Sequence, residues 1–206
     1  MKITCFIPFG SEKETKATVN ELRSSELVAK IFVTGSDKAL FELEGAEWLN
    51  TGSLTTGAAI KTISVQGRTE FVLIYTRHSP LKLSQYALER FIRVADDTNC
   101  GMVYANYFAV KAGIPESHPV IDYQEGSLRD DFNFGSLLFF RKEKLKEAAA
   151  SVDDSLKHAG LYDLRLNLSL IAPLFRIPEY LYTEEESDLR LSGEKIFDYV
   201  DPKNRG

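Results

Sequence analysis

Short apolar runs alternate with longer polar or amphipathic stretches through the first half of the chain. Ile3–Pro8 (ITCFIP) is nearly continuous in apolar side chains and is closed by Gly10. Such a run, short and rich in β-branched and aromatic residues, predicts a buried strand. Ser11–Ala29 is polar, with Val19, Leu22 and Val28 at roughly helical spacing. Ser11 followed three residues later by Glu14 fits a capping box. Lys30–Val33 (KIFV) predicts a second strand, closed by the turn cluster Thr34, Gly35, Ser36 and Asp37. Ala39–Leu43 reads as a short packed element and Glu47–Leu49 as a third strand. Leu54, Gly57, Ala58, Ile60 and Ile63 place a helix over Ser53–Val65. Phe71–Tyr75 (FVLIY) is the fourth strand, Pro80–Asp97 the clearest amphipathic helix, and Met102–Phe108 a further strand.

Alternation of strand and helix predicts an α/β fold with a mostly parallel sheet covered by helices. The second half is less regular. Val120–Tyr123 and Ser136–Phe140 read as strands, and Lys142–Ala150 and Tyr162–Leu170 as helices. Phe175–Ile177 and Tyr180–Tyr182, on either side of Pro178, read as short edge strands. From Thr183 the chain is charged and punctuated by Pro and Gly, which divides it into a domain over residues 1–182 and an arm over 183–206. Its ending, Pro202-Lys203-Asn204-Arg205-Gly206, reads as a cut and predicts a longer protein.

Composition narrows the classes. At 206 residues, with 44% hydrophobic and 27% charged side chains, the chain can bury a core without staples. A net charge of −5 gives no electrostatic case for binding nucleic acid. No apolar run approaches the ~20 residues that span a bilayer, which leaves only peripheral membrane contact open. The two cysteines, Cys5 and Cys100, lie in or beside apolar runs and read as buried thiols. Together with the absence of a secretion signal, they predict a reducing compartment, the cytoplasm. No HExxH, CxxC, Walker loop, GxGxxG or GxSxG occurs.

In an open α/β sheet, ligands bind beyond the carboxyl ends of buried strands. The strand ending at Tyr75 is followed by Thr76, Arg77, His78 and Ser79, without a carboxylate. Arg77 and His78 either offset the charge of a phosphate or play structural parts, Arg77 in an ion pair and His78 as a cap on the helix expected at Pro80.

Four segments together resemble the family 2 glycosyltransferases, which have the GT-A fold. Phe6-Ile7-Pro8-Phe9-Gly10 is similar to the family's opening strand, and Phe32-Val33-Thr34-Gly35-Ser36-Asp37 to its second strand and Asp-containing turn. Asn50-x-Gly52 through Lys61 to Phe71–Tyr75 resembles the stretch leading to the family's Asp-x-Asp. Phe134–Arg141 followed by Gly160-Leu161-Tyr162-Asp163-Leu164 resembles the strand under the acceptor site and its acidic helix.

The resemblance implies transfer of a sugar, with inversion, from a UDP- or similar nucleotide-sugar donor to a saccharide or glycolipid acceptor. It implies that Pro8, Phe9 and Asp37 hold the nucleoside, and that Lys61 and the Thr76–Ser79 loop hold ribose and diphosphate. It further implies that Asp130, Asp131 or Asp163 faces the acceptor as base. Each has a plainer alternative: strand end for Pro8 and Phe9, turn former for Asp37, solvated lysine for Lys61, solvated loop pair for Asp130 and Asp131, interhelical hydrogen bond for Asp163. The family uses Mn2+ or Mg2+ on its Asp-x-Asp. Here His78 is the one candidate ligand, tolerable for Mn2+ and poor for Mg2+, and the alternative is a metal-independent site. The position of the family's base falls near Leu161. These departures keep a second reading open, a non-catalytic relative that binds nucleotide sugar or serves in assembly.

Overall fold

The computed structural model describes residues 2–36, 43–111, 113–124 and 132–185. The elements run β1 (Ile3–Pro8), α1 (Glu12–Arg23), β2 (Val28–Gly35), β3 (Glu47–Asn50), α2 (Gly57–Gln66), β4 (Phe71–Tyr75) and β5 (Leu81–Leu83). They continue with α3 (Ala87–Thr98), β6 (Met102–Lys111), β7 (Ile114–His118), β8 (Leu137–Arg141), α4 (Lys142–Ala150), α5 (Gly160–Ser169) and β9 (Leu174–Glu185). One sheet takes the order β3-β2-β1-β4-β8-β6-β9-β5, with β7 paired to β6. Pairing is parallel across β3-β2-β1-β4 and again between β6 and β9, while β8, β7 and β5 are antiparallel to their neighbours. This is the mixed α/β architecture that the alternation predicts.

β1 and β4 are buried at every residue, as strands covered on both faces must be. Phe71 stacks on Phe139 of β8, which stacks on Phe91 of α3, so a single aromatic column joins sheet and helix. α1 starts as predicted. The Glu14 N–H donates to Ser11 Oγ at 3.3 Å and the Ser11 N–H to Glu14 Oε2 at 3.0 Å. Its buried face, Thr15, Thr18, Val19 and Leu22, follows the helical period.

Several expectations need correction. The helix predicted from Pro80 begins only at Ala87, because Leu81–Leu83 is a strand. Leu81 and Leu83 face inward on either side of exposed Lys82. Their N–H groups donate to Thr18 Oγ1 and Glu21 Oε1 of α1 (3.1 and 2.8 Å), and the segment pairs with β9. Tertiary partners therefore override helical spacing. Val120–Tyr123 forms no strand; its backbone is held by side chains, with the Val120 N–H on Asn106 Oδ1 and the Tyr123 N–H on Tyr104 Oη. The two short edge strands around Pro178 are one strand, β9, internal to the sheet between β6 and β5. A register shift against β6 near Ala105–Tyr107 absorbs the proline. β9 runs to Glu185, three residues past the expected boundary at 182, and the remainder of the expected arm lies outside the described residues, as does nearly all of Ala39–Leu43. Among the described residues no helix is long and apolar enough to cross a membrane.

Burial raises the phenols of Tyr75, Tyr104 and Tyr182 above the usual range, Tyr104 to about 12. A phenol whose folded pKa exceeds its unfolded value stabilises the fold fully below pH ~10. That contribution is lost as pH rises through the folded value. In a spectrophotometric titration we therefore expect some of the nine tyrosines to ionise normally, and a late class to ionise only as circular dichroism reports unfolding. One smooth transition near pH ~10, with the fold intact, would contradict this burial.

Candidate functional site: the rim beyond β1, β2 and β4

β1, β2, β3 and β4 run parallel, so their carboxyl ends share one rim. β1 places Pro8 beside Thr34 of β2, and β2 places Gly35 beside Asn50 of β3. The Phe9 N–H extends this ladder by donating to the Thr34 carbonyl at 2.8 Å. Phe9 meets Trp48 edge to face, with centroids 5.7 Å apart, and Trp48 lies over Gly35. A half-buried aromatic corner therefore stands where the resemblance expects the nucleoside. Asp37 lies outside the described residues.

The segment after β4 packs across this corner. His78 Nδ1 lies 2.7 Å from the Phe9 carbonyl oxygen. A carbonyl only accepts, so Nδ1 carries the proton, and Nε2 is the nitrogen left for a ligand. His78 thus joins β1 and the β4 loop and caps no helix. Gly10 explains how the loop comes so close. A Cβ at Gly10 would stand 2.6 Å from the His78 carbonyl oxygen, which is backbone and cannot swing away. Glycine at this position is a spatial requirement.

Thr76 is fastened to β8. Its N–H donates to the Ser136 carbonyl at 2.9 Å and its hydroxyl to the same oxygen at 3.2 Å. Ser79 is buried, within 3.4 Å of Tyr75 Oη, and belongs to the floor of the rim. Arg77 points outward, its side chain 57% exposed. Its Nε is 3.7 Å from Glu184 Oε1, on a carboxylate only 7% exposed. Glu184 Oε2 accepts a short hydrogen bond from Ser136 Oγ. Of the two roles open to Arg77, the ion pair is therefore realised, through its Nε edge.

Tyr182 completes the support. Its phenol oxygen accepts the Ser136 and Leu137 N–H groups at 2.8 and 3.3 Å. Its ring stacks on Tyr107, which stacks on His118 of β7.

The remaining expected residues stand apart from this cluster. Lys61 pairs with Asp154 at 2.7 Å, in the connection between α4 and α5. Asp163 lies in the first turn of α5, one oxygen accepting the Asp153 N–H at 3.0 Å and the other the Asn167 amide at 3.3 Å. It ties α5 to the connection that follows α4 and bonds within its own helix, so the expected interhelical bond is replaced by a local one. Leu161 packs partly buried against the core. Asp130 and Asp131 lie outside the described residues. Sequence reading missed Trp48, Ser136 and Glu184.

The described donor set does not fit a hard dication. Among the described residues no group of three His, Cys, Asp or Glu can hold a metal. The described rim offers one imidazole nitrogen, the Glu184 carboxylate held by Ser136 and Arg77, and the Glu14 carboxylate held by Ser11 in the capping box, whereas Mg2+ and Mn2+ favour several free oxygen ligands.

Replacing Gly10 by Ala is expected to push the 76–79 backbone off Phe9, at about 1–3 kcal/mol. Denaturant titration should show the lowered midpoint, and the His78 ring protons should lose their β1-dependent NMR shifts. An unchanged midpoint and spectrum would contradict the contact.

No family model and no curated protein sequence matches the chain. Among solved structures it is similar to S. aureus TarS 1–349, with a TM-score of 0.67 at 17% identity, over 90% of this chain and 60% of that one. The same protein in complex with UDP-GlcNAc gives a TM-score of 0.67 at 16% identity, over 91% and 59%. Its complex with UDP gives 0.64 at 18%, over 91% and 61%. The chain spans about three fifths of these TarS 1–349 structures. Their common ground is the fold, a Rossmann-like α/β sheet.

Proposed function

We propose that this chain is the nucleotide-sugar-binding module of a glycosyltransferase, with its donor site at the rim beyond β1, β2 and β4. One observation carries the reading: an aromatic corner, Phe9 against Trp48, lies beside an outward cation, Arg77, and an imidazole oriented by Phe9 itself. This is the order of chemistry a nucleoside diphosphate presents, a flat base and then a dianionic linkage. The likeness of fold to a protein solved with UDP and with UDP-GlcNAc supports the same choice of ligand.

In this reading the base packs against half-buried Phe9, while buried Pro8 is the strand end behind it, with Asp37 accepting from uridine or ribose. The outer edge of the Arg77 guanidinium donates a forked pair of hydrogen bonds to diphosphate oxygens. His78, held by Nδ1 on the Phe9 carbonyl, keeps the Arg77 backbone at the same anion. As the bond from sugar to phosphate breaks, negative charge grows on the leaving diphosphate. Donors already in place stabilise that charge without reorganising. The site is metal-independent in this account, since the described rim lacks the carboxylates a hard cation would use. The acceptor is a saccharide or glycolipid hydroxyl, and its proton goes to Asp130 or Asp131 in preference to Asp163, whose oxygens are engaged. Transfer with inversion is inherited from the resemblance.

A second reading is favoured by the position where the family's base is expected. Leu161 stands there, packed on the core, and cannot take a proton. In that reading the chain binds nucleotide sugar and transfers nothing.

Calorimetric titration with UDP is the test. Binding should be equal with and without Mn2+. Arg77→Ala should weaken it by about 1.5–3 kcal/mol, the size of a lost charge-assisted hydrogen bond. Binding that needs Mn2+, or an affinity indifferent to Arg77→Ala, would overturn the diphosphate assignment. Release of UDP from UDP-sugar in the presence of acceptor separates transferase from binder.

A further inference from the structure

We infer that Glu184, on the last turn of the sheet toward the rim, is a positioning residue that aims Arg77 at the diphosphate. This inference rests on the donor site proposed above and adds a residue from a different strand to it. Three observations lead to it. Glu184 is 5% exposed, so its carboxylate is withdrawn from water and needs fixed partners. It has two on opposite oxygens: Ser136 Oγ on Oε2 and the Arg77 Nε on Oε1. Ser136 is itself immobilised, since its N–H is held by Tyr182 Oη and its carbonyl by Thr76.

The direction of approach matters. Glu184 meets the guanidinium at Nε, and among the described residues Arg77 has no other ion-pair or hydrogen-bond partner. The contact falls on Nε and leaves the Nη1–Nη2 edge, which can grip a phosphate bidentately, unengaged by Glu184. An exposed arginine has much rotamer freedom to lose on binding. A buried carboxylate behind it removes part of that freedom beforehand. Glu184 thus supplies the acid of this site from β9, in the segment that sequence alone assigns to a trailing arm, and it acts on the ligand through Arg77.

The same carboxylate also repels a diphosphate. The guanidinium lies between the two anions and the rim is open to solvent, so the repulsion is screened. Orientation is then the larger effect, and the sign of the change in affinity decides between them.

The experiment is a double-mutant cycle read by UDP affinity in the full chain. Glu184→Gln keeps the shape and the Ser136 partner and removes the charge. It should weaken UDP binding about two- to fivefold, the scale of a part-exposed ion pair, and leave uridine binding unchanged. In the Arg77→Ala background the same substitution should have no further effect. Ser136→Ala, which keeps the charge and removes the anchor, gives an independent arm with the same direction and the same dependence on Arg77. A merely structural Glu184 would lower affinity equally in both backgrounds, and that result overturns the inference. So does UDP bound more tightly by Glu184→Gln. Wild-type protein that binds UDP and responds to Arg77→Ala but not to Glu184→Gln overturns only the role of Glu184. Wild-type protein that binds no UDP overturns the donor site and this role with it.

Discussion

Ser136 ties three distant segments to one point. Its carbonyl accepts from Thr76 after β4, its N–H is held by Tyr182 of β9, and its hydroxyl donates to Glu184 two residues further along. The tie exists because β8 runs antiparallel to both β4 and β6. The start of β8 thereby reaches the same rim at which β4 ends. A parallel β8 would bring its carboxyl end there instead, and Thr76 would lose its anchor. The buried phenol and carboxylate behind Ser136 are satisfied by one another's neighbours, as polar groups withdrawn from water must be.

From that anchor the rim follows. With Thr76 fixed to β8 and His78 fixed to the Phe9 carbonyl, the intervening Arg77 has its backbone held from both sides while its side chain stays outward. Gly10 lets the loop lie against β1 with nothing between. The chemistry that results is cationic where the resembled family is anionic. Among the described residues, Glu184 arrives from another strand and faces the guanidinium, while Glu14 stands beside Gly10, held in its capping box. In the proposed reading a diphosphate meets this cation without an intervening metal ion.

Much of this was legible in the residues. Ile3–Pro8 and Phe71–Tyr75 declare themselves as buried strands because covered parallel strands have no polar face to show. The capping box at Ser11 and Glu14 marks the first helix by a mechanism that needs only neighbours in sequence. Leu81–Leu83 misled because two leucines around a lysine suit either period, and its donors are claimed by Thr18 and Glu21, far away in sequence. Pro178 suggested an interruption that a register shift absorbs. For the site, the Thr76–Ser79 loop and Phe9 were visible as strand ends. Glu184, Ser136 and Trp48 were not, since their roles come from pairings across the sheet that no local pattern encodes. Asp163 and Lys61 looked like site residues and proved to have near partners, Asp153 and Asn167 for the one and Asp154 for the other.

In the proposed reading a nucleoside diphosphate sits on the rim beyond β1, β2 and β4 and touches the loop after Tyr75. Backbone amide shift mapping during addition of UDP addresses it most directly. The account predicts that the largest changes fall on Phe9, Gly10, Gly35 and Thr76–His78, with α3 near Glu89–Asp97 silent. Changes centred on α3, or a silent Thr76–His78 segment at saturating UDP, would contradict it.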